Sequence, residues 1–131
     1  MDCLRVGLKS DMIMINAMRI YHINPESGGY NILVDGMWPR GIKKEDPRID
    51  EWKKKLAPSK ELRKWFTHDP VKWEDFRKHY RQELEEKKDM LREILKLEKQ
   101  HGEVNLIYSA RDEKHNQAVV LKNYLEELKS K

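Results

Sequence analysis

The chain has 131 residues, of which 38% are charged and 38% are hydrophobic, a size and composition typical of one domain with a layered core. No apolar run approaches the roughly 20 residues that a membrane-spanning helix needs, and residues 1–17 lack the three regions of a secretory signal. We therefore expect a cytoplasmic protein with no membrane partner. The single cysteine, Cys3, excludes an internal disulfide and a metal site made of cysteines alone.

The charges are compatible with an anionic partner. Lysine and arginine number 27 against 23 aspartate and glutamate residues, which gives a formal net charge of +4. Such an excess permits binding to anions, nucleic acid included. The signs alternate closely, however, as in residues 85–89, and alternation is typical of a solvated helix face. Nucleic acid is therefore allowed as a partner but is not favoured.

Strand signals dominate the first part of the chain. Residues 18–23 alternate between apolar and polar side chains, which predicts a short half-buried strand, and residues 31–34 predict a second strand, apolar enough to be central. Between them, residues 24–29 combine a proline with two glycines and predict a turn. For residues 1–17 two alternatives stay open, an N-terminal extension or an extra strand around residues 12–15.

Two short helices are expected next. Apolar residues recur at intervals of three and four and predict a short amphipathic helix that ends before Pro58. They are Ile49, Trp52 and Leu56. Ser59 is a suitable N-cap for the second helix, in which we expect Leu62, Trp65 and Phe66 to face inward.

Longer helices fill most of the second half. Asp69 followed by Pro70 is a strong start signal, because aspartate caps a first turn and proline fits the first helical position. The apolar stripe of that helix consists of Trp73, Phe76, Tyr80 and Leu84. A further helix over residues 88–101 ends before Gly102, which suits the left-handed position after a helix. Residues 104–110 predict the last strand, and residues 117–128 predict the closing helix.

This order predicts a single α/β domain over residues 18–131, with a small, mostly parallel sheet and flanking helices in three layers. The segment between the strands at residues 31–34 and 104–110 is helical and long enough for a right-handed crossover, which pairs these strands in parallel. Ligands gather at the carboxyl ends of parallel strands. We therefore expect the loops that follow these two strands to share one polar site.

These loops and the helices beside them carry the side chains that chemistry on an anion requires. Arginine forks suit phosphate and carboxylate groups, carboxylates can act as bases or nucleophiles, and histidine can donate a proton near neutral pH. The candidate catalytic residues are Asp35, Asp112, His115 and His68. The candidate substrate-binding residues are Arg40, Arg63, Arg111, Asn116 and Gly41.

Most of these candidates also have a purely structural interpretation. Asp35 can pair with Arg40 or Arg63, Asp112 can cap the last helix, and His68 can hydrogen-bond to the backbone. No metal site is predicted, because the ligand spacings of known metal motifs are absent. No glycine-rich phosphate loop follows a strand, so we expect no cofactor.

Three motifs follow one another in a specific order. They are YNILVDGMWPRG at residues 30–41, LAPSKELRKWF at residues 56–66 with HDPVKW at residues 68–73, and LIYSARDEKHNQA at residues 106–118. Together they resemble the YeaO-like domain-of-unknown-function family over roughly residues 19–128. The resemblance implies a small α/β domain of bacterial and archaeal cytosol and supplies no activity. One departure is Gly36, where the family usually has arginine, so the first loop has one cation fewer than the family pattern.

Two functions from different classes fit these patterns. The first is an enzyme that acts on an anionic small molecule, such as a nucleotide or a phosphorylated sugar, through the Asp/Arg/His cluster. The second is a non-catalytic module that binds nucleic acid or a protein through the basic helices of residues 53–81. The tryptophans of that region fall on the apolar spacing and are expected in the core rather than as stacking platforms. We therefore favour the first function, and the oligomeric state stays open.

Overall fold

The computed structural model describes residues 13–23 and 28–130, and these residues form a four-stranded, all-parallel sheet. Its strands are β1 (Met14–Arg19), β2 (Tyr30–Leu33), β3 (Glu51–Trp52) and β4 (Glu103–Tyr108), in the spatial order β1-β4-β2-β3. The predicted parallel pairing of the second and last strands is confirmed, with Ile32 opposite Leu106. The turn predicted at residues 24–29 lies largely outside the described residues. Of residues 1–17, for which the sequence leaves open an extension or an extra strand, residues 1–12 lie outside them and residues 14–17 belong to β1.

The described part of the chain contains four α-helices: α1 (Lys60–Phe66), α2 (Trp73–Glu85), α3 (Lys88–His101) and α4 (Gln117–Lys129). The local signals at their ends are confirmed. Ser59 Oγ accepts a hydrogen bond from the Leu62 N–H at 3.2 Å, and Asp69 caps the short 3-10 turn Pro70–Lys72 that leads into α2. Gly102 ends α3 with a left-handed φ of 82°. None of the helices among these residues is long and apolar enough to cross a membrane.

The strand predicted at residues 18–23 is wrong in its limits. The edge strand β1 begins at Met14 and ends at Arg19, and Ile20–His22 form a 3-10 turn. The reason is the neighbouring strand, because Met14 pairs with Glu103 and Arg19 with Tyr108, so β1 is as long as β4. The predicted boundary between residues 17 and 18 falls inside this strand.

The helix predicted from Ile49, Trp52 and Leu56 is also wrong. The N–H of Lys53 donates to Leu33 O at 3.0 Å, so the segment extends the sheet as β3, and a 3-10 turn at Lys54–Leu56 follows. The side chains of Ile49 and Trp52 pack on one face of the sheet and that of Leu56 on the other. In this segment, apolar residues spaced three and four apart therefore do not lie on one shared face.

One inward-facing prediction also fails in α1. Leu62 and Phe66 are buried, whereas Trp65 is 41% exposed. The Trp65 ring lies on the surface, where the Lys72 ammonium is 5.1 Å from its centroid.

The two faces of the sheet are covered by different kinds of structure. On one face, Ile32 and Leu106 belong to a core cluster that includes buried side chains from all four helices. On the other face, Leu33 and Ile107 pack against loop and turn residues, which are Ile20, Ile23, Trp38, Ile42 and Ile49. The third layer of the fold is therefore made of loops rather than helices.

The crossover rule explains this asymmetry. The connections from β1 to β2 and from β2 to β3 move in the same direction across the sheet, and residues from both pack on the loop-covered face. The connection from β3 to β4 moves back and carries α1, α2 and α3 over the opposite face. Because parallel crossovers are nearly always right-handed, two connections that run in opposite directions across the sheet must lie on opposite faces of it.

Three asparagines cross the sheet in register on the loop-covered face. The Asn16 amide donates to Asn105 Oδ1 at 3.0 Å, and the Asn105 amide donates to Asn31 Oδ1 at 2.8 Å. The Asn31 amide in turn donates to Arg48 O at 2.9 Å. Because Asn31 and Asn105 are buried, a shift of one residue would move unpaired amides into the apolar core. This ladder therefore favours one register.

We expect Asn105→Ala to lower the free energy of unfolding by about 1–3 kcal/mol, because it removes the donor to the buried Asn31 Oδ1 and one acceptor of the half-buried Asn16 amide. Urea denaturation measures the change. Asn123→Ala, at an exposed position of α4, is the matched control and should change the unfolding free energy by less than about 0.5 kcal/mol. Equal stability of the two variants would contradict a role for the ladder.

Candidate functional site

A cavity of about 330 Å³ lies at the carboxyl edge of the sheet. Its walls include Asp35 and Gly36 from the loop after β2, and Ser109 and Ala110 from the loop after β4. Helices α1, α2 and α4 close its sides. A cavity of this volume is at the lower end of the range for small-molecule pockets, and its position is where parallel sheets commonly bind ligands.

Asp35 joins three elements beneath this cavity. Its side chain is buried, and Oδ2 accepts hydrogen bonds from the Ser109 backbone N–H at 3.0 Å and from Ser109 Oγ at 2.7 Å. Its Oδ1 accepts a hydrogen bond from the Gln117 side-chain amide. The carboxylate therefore connects the ends of β2 and β4 to the first turn of α4. The predicted pairing of a carboxylate with Arg40 or Arg63 is wrong for Asp35.

Burial sets the protonation behaviour of Asp35. Desolvation raises its pKa above the ordinary value of 3.8, and the hydrogen bonds from Ser109 and Gln117 oppose part of this rise. A carboxylate offers about four acceptor positions, and these donors use three of them. One acceptor position is therefore left for a hydrogen-bond donor of a ligand.

Basic side chains also line the cavity. Arg40, Arg63 and His68 line it, and all three residues are exposed. No carboxylate of the described residues pairs with either guanidinium. His68 and Thr67 both have positive φ values, 58° and 45°, a conformation that costs non-glycine residues energy. The turn after α1 thus holds His68 on the cavity wall at a cost in backbone strain.

An aromatic wall completes the cavity. The Phe66 and Phe76 rings are stacked with their centroids 4.2 Å apart, and both rings line the cavity. Trp38 also lines it, and its indole N–H donates to Ile42 O at 2.7 Å. The cavity therefore offers apolar surface for a ligand body as well as the buried acid and the exposed arginines.

Asp112 and His115 form a separate pair. Asp112 Oδ2 lies 2.9 Å from His115 Nδ1, and Oδ1 accepts the backbone N–H groups of Lys114 and His115. These hydrogen bonds lower the pKa of Asp112 to about 2. The His115 ring stands edge-on to Trp73. Neither Asp112 nor His115 lines the cavity, so the single composite site that includes them is not formed.

The remaining candidates also lie outside the cavity lining. Asn116 is fully buried, and its Oδ1 accepts the Val119 N–H at 3.1 Å, so Asn116 rather than Asp112 caps the last helix. Its amide donates to Asp112 O at 2.9 Å. Arg111 is exposed, and Gly41 occupies a turn with a φ of 80°. Their predicted role in substrate binding has no counterpart in the cavity.

Two residues that bind Asp35 were missed by sequence reasoning. The sequence patterns assign no role to Ser109, and they give Gln117 only as the start of the closing helix. Ser109 is the first residue after β4, and Asp35 lies similarly close to the end of β2. This shared position just after a parallel strand is the signal that could have identified Ser109. No comparable signal marks Gln117. Among residues 13–23 and 28–130, no group of three or more potential ligands could hold a metal ion.

Comparisons with known proteins return relatives of unknown function. A family model described as "Inactive DUF488-N3 subclade" matches residues 14–131. The chain is 40% identical to the uncharacterized protein YeaO of Escherichia coli, over 87% of this chain and 98% of that protein. It is 41% identical to the uncharacterized protein Rv3073c of Mycobacterium tuberculosis, over 53% of this chain and 59% of that protein. No solved structure matches the chain.

The raised pKa of Asp35 predicts a pH-dependent stability difference. Ionisation of Asp35 opposes folding, so its contribution to stability is complete below pH 3.8 and is lost as the pH rises through its folded-state pKa. In Asp35→Asn the amide oxygen can accept from Ser109, and the amide can donate to Gln117 after that side chain turns over. We expect the variant to gain stability relative to wild type as the pH rises above 3.8.

Thermal melts of both proteins between pH 4 and 7 measure this difference. Asp35→Ala is the control, because it removes the charge and also every acceptor, and it should be less stable than wild type at each pH. Parallel pH profiles for wild type and Asp35→Asn would show that the Asp35 pKa is not raised.

Proposed function

The chain belongs to the YeaO-like proteins of the DUF488-N3i family, and from the cavity alone we propose that it binds an anionic small molecule. One observation carries the proposal: Arg40 and Arg63 line the same cavity, and no carboxylate of the described residues neutralises either of them. Unpaired guanidinium groups beside a concave surface attract anions and match the geometry of a phosphate group.

The difference in burial between Asp35 and the two arginines limits the class of ligand that would fit the cavity. The two guanidinium groups are exposed, whereas the Asp35 carboxyl is buried and keeps one acceptor position. A matching ligand carries its negative charge at one end and a hydrogen-bond donor at the other. A nucleotide or a phosphorylated sugar has both. Such ligands are intracellular metabolites, which agrees with the cytoplasmic location expected from the sequence.

A site that binds its ligand without catalysing a reaction is better supported than an active site. The matching family model carries the word "inactive" in its description. The carboxylate of Asp35 is occupied by Ser109 and Gln117, and Asp112 uses both oxygens within its own loop. Both carboxylates are thus held by hydrogen bonds within the protein, so we propose a binding site rather than an active site.

The basic helical surface supports the alternative function less well. Lys53 is buried between Glu51 and Glu93, at 3.0 and 2.6 Å. Arg77 pairs with Glu74 and Arg81 with Glu127. These ion pairs neutralise three of the ten lysines and arginines between residues 53 and 81, so the positive charge of this surface is interrupted at those positions, and we place nucleic acid binding second.

We expect Arg40→Ala and Arg63→Ala each to weaken binding of a phosphorylated ligand by about 1.5–3 kcal/mol, the range for hydrogen bonds to charged groups. A thermal-shift screen of nucleotides and sugar phosphates would find the ligand, and isothermal titration calorimetry would measure its affinity. Both variants should melt close to the wild-type temperature, because neither guanidinium makes a salt bridge with the described residues.

The matched control is Arg92→Ala, which removes an exposed guanidinium from α3 and should leave ligand affinity unchanged. Single-stranded and duplex nucleic acid would be titrated at two salt concentrations in parallel. Salt-sensitive binding to nucleic acid that survives Arg40→Ala, together with no small-ligand hit, would replace the proposed function with the alternative one.

A further inference from the structure

Gly36 has no backbone reason to be glycine. Gly29, Gly41 and Gly102 have positive φ values of 98°, 80° and 82°, which favour glycine at those positions. Gly36 is not in this conformation, so an L-amino acid could adopt its backbone angles. The explanation for glycine here lies in the space around it.

The guanidinium of Arg63 occupies that space. A Cβ atom at position 36 would lie 2.4 Å from Arg63 Nη1 and 2.7 Å from Arg63 Cζ, distances shorter than any ordinary van der Waals contact. Gly28 is different, because a Cβ atom there would meet no atom of the described residues within 4 Å. The missing side chain at position 36 therefore lets Arg63 reach from α1 to the loop after β2.

The Arg63 guanidinium lies directly against the Gly36 backbone. Arg63 has no salt bridge and no side-chain hydrogen bond among the described residues, so no polar partner holds its end. Its five N–H donors are therefore available to a ligand. A side chain at position 36 would move the guanidinium rather than disrupt the backbone, because the obstructing atoms are the end of a flexible side chain.

We propose that Gly36 is a specificity-determining residue, because it sets where the Arg63 guanidinium meets an anion in the cavity. This inference rests on the proposed function. It predicts that adding one methyl group at position 36 changes anion recognition while the fold stays intact. A packing role for Gly36 would instead change stability.

The test compares full-length wild type, Gly36→Ala and the matched control Gly28→Ala. The first readout is the Arg63 side-chain Nε–H signal in NMR spectra without ligand, assigned by its disappearance in Arg63→Ala. The second readout is affinity for inorganic phosphate. We expect Gly36→Ala to shift the Arg63 signal and to weaken phosphate binding by about tenfold, the effect of roughly one charge-assisted hydrogen bond, and Gly28→Ala to change neither.

A double-mutant cycle then tests whether Gly36 acts through Arg63. In an Arg63→Ala background, Gly36→Ala should have no further effect on phosphate affinity. The melting temperature of Gly36→Ala should equal or exceed that of wild type, because alanine reduces the conformational freedom of the unfolded chain.

The outcomes separate the two proposals. An unshifted Arg63 signal with unchanged phosphate affinity in Gly36→Ala overturns the inference and leaves the proposed function standing. A lowered melting temperature, or a further loss of affinity in the Arg63→Ala background, also overturns it, because Gly36 would then act through packing. If wild type does not bind phosphate or any phosphorylated ligand, the proposed function fails, and the role of Gly36 in anion recognition fails with it.

Discussion

All four strands run in the same direction, so every connection between them has to return along the outside of the sheet. With crossovers of a single hand, the helical connection takes one face and the loops take the other. The carboxyl ends of β2 and β4 then stand side by side at one edge. The first polar residues after them, Asp35 and Ser109, meet there. The cavity is a consequence of this parallel arrangement.

Asp35 connects the stability of the fold to its candidate function. Burying a carboxyl group is costly, and its raised pKa reflects that cost. Hydrogen bonds from Ser109 and Gln117 offset part of the cost and fasten β4 and α4 to the end of β2. The same group remains an acceptor within the cavity. A polar residue that is expensive for folding is commonly retained where a site needs it.

The polar residues of the two loops have different roles. Arg40, Arg63 and His68 face the cavity beside the buried acid. Asp112 instead bonds to the backbone of its own loop, which places Asn116 to cap α4. Gln117, the next residue, can then reach Asp35. The loop after β4 therefore orders the start of α4, which supports the cavity. The loop after β2 and helix α1 supply Arg40 and Arg63.

The sequence by itself determined the features that depend on neighbouring residues, which are the caps at Ser59 and Asp69 and the left-handed Gly102. It also determined the parallel pairing of β2 and β4, because the segment between them is helical and long enough to cross over. Short apolar spacings are ambiguous: the spacing of Ile49, Trp52 and Leu56 predicts a helix, whereas Glu51–Trp52 pair with β2 and Lys54–Leu56 form a 3-10 turn. Only the tertiary structure separated Asp112 from the cavity and brought the Arg63 guanidinium against Gly36. Such contacts join segments far apart in the chain, and their geometry is set by packing, which no local pattern encodes.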